Sequence, residues 1–333
     1  MRAITGDRAL DSIFFGGGTP SLMPPAVVDR IMTAVRRGWV CGEDIEVTLE
    51  ANPSSVEAGR FSRFVQAGVN RFSIGVQALN DPDLRRIGRL HTAREALSAI
   101  ETAKKYADRV SFDLIYARQD QGRLAWHAEL SQALALAPDH LSLYQLTIED
   151  GTVFGRRHQA GKLPGLPDAD LSADLYETTQ DLCESAGLPA YEISNHARPG
   201  RESRHNLIYW RCGDYVGIGP GAHGRLTAGG KRRATHAVSA PNAWLRGVET
   251  GRAEHEQGAE LSAEDQAAEY LMMALRLRDG VVLSRLHALS GRVLPEPALG
   301  GLLEDGLIWR TDDRFGTTPR GRMVLNAVLR ELL

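Results

Sequence analysis

In Ser12-Ile13-Phe14-Phe15-Gly16-Gly17-Gly18-Thr19-Pro20-Ser21-Leu22, a short apolar run stops at three glycines and gives way to Thr-Pro. The run has no polar alternation and ends at a breaker, so it reads as a buried strand. A helical pattern starts near Pro24 and Pro25. Glycines remove the Cβ atoms that would hold a ligand away from the backbone, and they permit positive φ. Thr19 adds a hydroxyl beside a helix start, where backbone N–H groups face outward. The turn suits a small ligand with carboxylate or amine groups. By itself it serves equally well as a tight connection, and the strands that follow decide between the two.

Strand-like runs recur at Ser12–Phe15, Ile45–Glu50, Arg71–Gln77, Val110–Tyr116, Leu141–Leu146 and Ala190–Ser194. Helical stretches lie near Ala26–Arg37, Val56–Ala67, Ala93–Tyr106, Leu124–Ala137 and Ala169–Ala186. This alternation predicts βα units and a parallel sheet, an α/β fold. Parity then distinguishes an open sheet from a curved one. Ile45-Glu46-Val47-Thr48-Leu49-Glu50 puts Ile, Val and Leu on one face and Glu, Thr and Glu on the other. Arg71–Gln77 and Val110–Leu114 repeat the pattern. A sheet covered on both faces would show near-continuous apolar runs. One polar face instead predicts a barrel, or an incomplete one, with a wet lumen and functional groups at the C-terminal strand ends. Glu50, Gln77 and Asp113 fall there on the polar parity; each alone reads equally as a solvated strand end.

At 333 residues the chain has room for one large domain or for a medium and a small one. The pattern changes near residue 235, which divides the chain into 1–235 and 236–333. The second part predicts helices over Leu261–Arg278, Leu283–Leu289 and Glu296–Leu303, a strand and hairpin over Gly306–Gly316, and a last helix over Pro319–Leu332. That is a small winged-helix-like module. Its arginines are interleaved with acids, and the whole chain carries 39 basic against 42 acidic side chains, so no nucleic-acid partner is expected. No apolar run reaches membrane-spanning length, and Met1–Arg8 lacks an apolar signal core, so a cytoplasmic location is expected. Cys41, Cys183 and Cys212 fit neither a disulfide framework nor a local metal motif.

Across nearly its whole length the chain resembles the radical S-adenosylmethionine proteins grouped with oxygen-independent coproporphyrinogen III oxidase, within them the heme-chaperone (HemW-like) branch. The resemblance rests on FFGGGTPSL at Phe14–Leu22, LEANP at Leu49–Pro53, SIGVQAL at Ser73–Leu79 and GRLH at Gly88–His91. It continues through DLIY at Asp113–Tyr116, LSLYQL at Leu141–Leu146, YEISNH at Tyr191–His196, HNLIYW at His205–Trp210 and GIGPGAHG at Gly217–Gly224. It implies a partial radical SAM (β/α) barrel that begins at the second strand of such a barrel. Gly17, Gly18 and Thr19 would then meet the amino and carboxylate end of S-adenosylmethionine. Glu50 would also contact that polar end, Arg89 would pair with the carboxylate, and Gln77 and Asp113 would hydrogen-bond the ribose hydroxyls. A carboxylate suits a diol or an ammonium, and a guanidinium fork suits a carboxylate.

The family's CxxxCxxC loop, whose thiolates hold a [4Fe–4S] cluster, is not in this sequence. The expectation is that the native protein starts upstream of Met1 with that loop; the other reading is a cluster-less relative. Ala117-Arg118-Gln119-Asp120-Gln121 stands where many relatives have Gly-Leu-Pro-Gly-Gln, which implies a changed turn after the Asp113 strand. Three functions follow from the resemblance and the residues: a heme chaperone, a coproporphyrinogen decarboxylase, or a cofactor-free docking scaffold. The HNLIYW motif favours the chaperone, with His205 as a ligand of heme iron and Tyr209 and Trp210 against the macrocycle. His205 reads otherwise as a structural histidine in an aromatic turn. The expected partners are heme or a related tetrapyrrole and a membrane-bound heme acceptor, through which the protein would sit peripherally at the membrane.

Overall fold

The structure is a computed structural model and describes residues 5–54, 58–251, 256–291 and 293–333. The chain divides into two compact units, Ala9–Arg204 and His205–Leu333, the latter joined by the N-terminal residues through Arg8. The boundary expected after residue 235 falls instead inside a strand. β7 (His223–Ala228), β8 (Lys231–His236) and β9 (Glu256–Glu260) form one antiparallel sheet that binds both sides of that position together.

The first unit is built on one six-stranded sheet in sequential order: β1 (Ala9–Phe15), β2 (Val40–Ala51), β3 (Arg71–Gln77), β4 (Arg109–Tyr116), β5 (His140–Gln145) and β6 (Asn195–Ala197). The first five are parallel, and β6 runs antiparallel to β5. The result is a curled half-barrel with helices on its outer face. Of Ala190–Ser194, expected as the sixth strand, Ala190 makes an isolated antiparallel bridge to His196 and 191–194 is a bend. Glu192 accepts from Ser194 N–H and from the Asn195 amide, and this local turn pushes the pairing segment to Asn195–Ala197.

Each helix earns its place by sequence. Thr92 and Glu95 form a reciprocal capping box that starts the helix Ala93–Tyr106, whose Ala96, Ala99, Ile100 and Ala103 are buried. Val47, Leu49, Phe72, Ile74, Phe112, Leu114 and Leu141 occupy the apolar strand parity and are buried in one cluster with Met32, Phe61, Phe64, Trp126 and Leu130 from the helices. Burying each such side chain stabilises the fold by about 1.5–3 kcal/mol. Of the helix expected over Val56–Ala67, residues 56 and 57 lie outside the description and Phe61–Gln66 is helical.

The polar parity is not uniformly wet. At its N-terminal end Glu46, Thr48, Arg71 and Ser111 are buried, and Arg71 donates to Thr48 Oγ1 at 3.3 Å and Ser111 Oγ at 3.0 Å. Arg109 pairs with Glu46 at 2.9 Å, and His140 shares a 2.9 Å hydrogen bond with the Tyr191 hydroxyl. This buried polar layer lies at the end of the half-barrel nearer the strand N-termini.

In the second unit, Ser262 caps the helix Ala263–Ala274 with Asp265 reciprocating. The helices Leu283–Ser290 and Glu296–Glu304 follow, with a three-stranded sheet ordered β10 (Val281–Val282), β12 (Arg314–Thr317), β11 (Ile308–Arg310). The helix expected over Pro319–Leu332 breaks at Val324, whose φ of −117° separates Pro319–Met323 from Leu325–Leu332.

Candidate functional site

An open cavity of about 180 Å³ lies at the C-terminal ends of β2, β3 and β4, lined by Gly18, Thr19, Glu50, Gln77, Arg89 and Asp113. Gly17 joins them through its N–H, which donates to Glu50 Oε2 at 3.2 Å. Gly17 and Gly18 have φ of 82° and 58°, and a Cβ at either would meet no atom within 4 Å. Backbone conformation, rather than space, therefore requires glycine there.

β3 and β4 supply the other wall. Gln77 Nε2 donates to Asp113 Oδ2 at 2.6 Å, and Arg89 donates to Gln77 Oε1 at 2.8 Å, a chain of three polar groups along the cavity. Gln77 has a φ of 73°, and the β3–β4 register shifts between Ile74 and Gln77. A non-glycine residue in the left-handed region costs about 1–3 kcal/mol, and such strain concentrates at functional sites. Burial pushes the Asp113 carboxyl up to about 6, against the lowering by the Gln77 amide and the Arg89 charge. Its Oδ1 is buried and has no hydrogen-bond partner among the described residues. Burial also raises the Glu50 carboxyl, and the Gly17 N–H opposes the shift. An acceptor without a donor, beside a guanidinium and a second carboxylate, fits a ligand bearing hydroxyls, a carboxylate and an ammonium, which is the polar inventory of S-adenosylmethionine.

Besides Pro20 and Ala51, sequence reasoning missed three lining residues on the strands' polar side, Asn52, Ser73 and Gly75. Asn52 Nδ2 donates to Thr19 Oγ1 at 3.3 Å and so ties the glycine turn to the end of β2. The signal was present: these residues share the polar parity of Glu50 and Gln77.

The 117–121 loop keeps a glycine-like backbone without glycine. Ala117 and Asp120, where the resemblance implied glycine, both have φ of 59°. Arg118 is buried and binds Asp83 at 2.9 Å, Glu129 and the Ile115 carbonyl. Glu129 in turn accepts from Leu79 N–H at 2.7 Å, just beyond Gln77. Arg118 thus anchors a turn that holds two non-glycine residues at positive φ.

In the second unit, His205, Tyr209 and Trp210 lie on the helix Arg204–Trp210, none of whose residues is buried. His205 and Tyr209, one turn apart, meet edge to face at 4.7 Å, and Tyr209 packs on Tyr215 at 4.2 Å. Burial, with Tyr215 beside it, pushes the Tyr209 phenol up to about 12, so it stays protonated at neutral pH. Trp210 has the Arg276 guanidinium over its ring at 5.8 Å, and its indole N–H is buried without an acceptor among the described residues.

The three cysteines do not fit a [4Fe–4S] cluster. Burial raises the Cys183 thiol to about 12 and the Cys212 thiol to about 11, opposite to what thiolate ligation needs. None of the three lines the cavity, and among the described residues no group of three or more His, Cys, Asp and Glu side chains could hold a metal ion. No helix among them is long and apolar enough to cross a membrane.

Residues 1–118 match the model of the radical SAM superfamily, and residues 261–324 match that of the HemN C-terminal domain. The heme chaperone HemW of Escherichia coli K12 is 38% identical over 97% of this chain and 84% of its own length. This chain belongs to the HemW family of radical SAM proteins. The relationship extends to the mitochondrial radical S-adenosyl methionine domain-containing protein 1 of Bos taurus, 38% identical over 99% of this chain and 77% of that protein. The coproporphyrinogen III oxidase HemN of E. coli superposes with a TM-score of 0.79 over 97% of this chain and 78% of its own, at 20% identity, which shows a shared fold. HemW membership implies S-adenosylmethionine and a [4Fe–4S] cluster as the family's cofactors.

Proposed function

We propose that this chain is a heme chaperone that binds S-adenosylmethionine in the β2–β4 cavity, holds heme at the helix Arg204–Trp210 and delivers it to a membrane-bound acceptor such as a respiratory cytochrome. On this reading the protein acts in the cytoplasm and reaches the membrane through its acceptor. Similarity to the E. coli heme chaperone over 97% of this chain and 84% of that protein is the observation that carries it.

Within the cavity, Asp113 Oδ1 would accept from a ribose hydroxyl and the Gln77 amide would hold the carboxylate in place for it. Arg89 would pair with the methionine carboxylate, while Glu50 and the backbone of the Gly17–Thr19 turn would take the ammonium and carboxylate end. Heme brings an iron with open axial positions and two propionates. The protonated Tyr209 phenol is a poor iron ligand, so the imidazole of His205 is the better one, with Tyr209 packing on it. The free indole N–H of Trp210 is a donor suited to a propionate oxygen.

Titration of the untagged chain with heme should give a one-to-one complex with a shifted Soret band. His205→Ala should lower the affinity about tenfold or more, the loss expected for one strong ligand bond. Equal affinity of parent and variant would overturn the ligand assignment. Absence of stoichiometric heme binding by the parent would overturn the chaperone reading.

A further inference from the structure

Two histidines outside both candidate sites face each other across a hairpin. His223 on β7 and His236 on β8 are direct register partners, with ring centroids 4.5 Å apart and planes tilted by 45°. Opposed residues of an antiparallel pair project from the same face of the sheet with their Cβ atoms about 4.5–5.5 Å apart. The backbone around the pair is braced on every side. Beyond it, Ala237 N–H donates to the Ala222 carbonyl at 2.8 Å and Gly221 N–H to the Val238 carbonyl at 3.0 Å. Tyr215 and Arg225 exchange backbone bonds of 2.8 and 2.9 Å on the outer edge of β7, and β9 pairs with β8 on the other side.

The spacing, 4.5 Å between centroids, is close to that of two ligands on one ion. Imidazole nitrogens bind zinc at about 2.0–2.1 Å, which puts the centroids of two rings at a near-tetrahedral angle about 5 Å apart. His223 is exposed and His236 half-buried, so water can complete the coordination sphere. The nearest cation on the same strand face, Arg225, is neutralised by Glu269 at 2.8 Å. Imidazole is a preferred donor for zinc, copper and nickel. We propose that His223 and His236 form a two-histidine site for a divalent late transition-metal ion, zinc or copper(II), with its remaining positions open to water.

The test uses the untagged chain and Cu²⁺ alone, followed by calorimetry and electron paramagnetic resonance. The parent should bind one Cu²⁺ with nitrogen superhyperfine structure from two imidazoles. His223→Gln and His236→Gln should each weaken that site about tenfold or more and reduce the spectrum to one-nitrogen coupling, with the far-UV circular dichroism unchanged. The chain has ten histidines, so His205→Ala serves as the control for binding elsewhere and should retain the two-nitrogen signal. Two-nitrogen binding that survives both Gln variants, or that disappears in His205→Ala, would overturn the assignment, as would no binding by the parent at micromolar Cu²⁺. If a Gln variant unfolds, the parent's two-nitrogen spectrum and its rise in melting temperature with Cu²⁺, against none in His223→Ala/His236→Ala, decide instead.

Discussion

The two ends of one polar sheet face behave in opposite ways. At the N-terminal end, Arg71 is surrounded by Thr48 and Ser111, and Arg109 is held by Glu46, so both guanidiniums there have internal acceptors. At the C-terminal end, Gln77, Asp113 and Arg89 are hydrogen-bonded to one another, yet Asp113 Oδ1 has no partner and the groups border a cavity. Strand parity is the same for both, so alternation alone does not separate a structural polar layer from a binding site. What separates them is whether the charged groups are satisfied within the chain.

The largest expected effect falls on the N-terminal end. Glu46→Ala strips the carboxylate from Arg109 and leaves cations in a buried layer where desolvation already lowers the Arg71 guanidinium and Glu46 opposes that shift. Removing one partner of a buried pair costs about 3–5 kcal/mol. Urea unfolding should show that loss, while calorimetry at a temperature where the variant is folded should show S-adenosylmethionine affinity within twofold of the parent. A binding defect in the folded variant would mean that the two ends are not separable.

Asp113→Asn should do the reverse. Losing a charged acceptor costs about 1.5–3 kcal/mol of binding, a rise in Kd of roughly tenfold to a hundredfold. Stability should not fall. The folded carboxyl titrates near 6 against 3.8 for the ordinary group, so between those values the folded state holds the extra proton. The parent therefore gains stability as pH drops from 7 towards 4, and ionisation works against folding at neutral pH. Thermal unfolding across that range should show this slope in the parent and a flatter one in Asp113→Asn; equal slopes would place the carboxyl in an ordinary environment.

Arg89→Ala is expected to weaken S-adenosylmethionine binding about tenfold through loss of a charge-assisted pair. Because Arg89 is exposed, unfolding free energy should stay within about 0.5 kcal/mol. A large stability loss would move Arg89 from the site to the scaffold. The smallest effect belongs to the 117–121 loop. Ala117→Gly relieves a left-handed alanine, and the gain exceeds the added unfolded-state entropy by about 0.5 kcal/mol. Denaturant titration would show it as a small rise in midpoint at constant slope, and no rise would mean that the Arg118 anchoring already absorbs the strain.

The sequence alone determined the βα order, the polar parity of β2, β3 and β4, and Glu50, Gln77 and Asp113 at their C-terminal ends, because strand periodicity and glycine turns are local properties. Arg71–Gln77 and Ala93–Tyr106 were legible to the residue, since an apolar alternation and a Thr-x-x-Glu cap need no tertiary partner. Tertiary structure alone decided which polar groups are used up. That Arg71 is spent on Thr48 and Ser111 while Asp113 Oδ1 stays open depends on neighbours 23 to 40 positions away in sequence. The same holds for the domain boundary, the bend at 191–194 and the opposed His223 and His236. Each rests on strand pairing or non-local contact, and local sequence carries no record of which distant group will arrive to satisfy a donor or an acceptor.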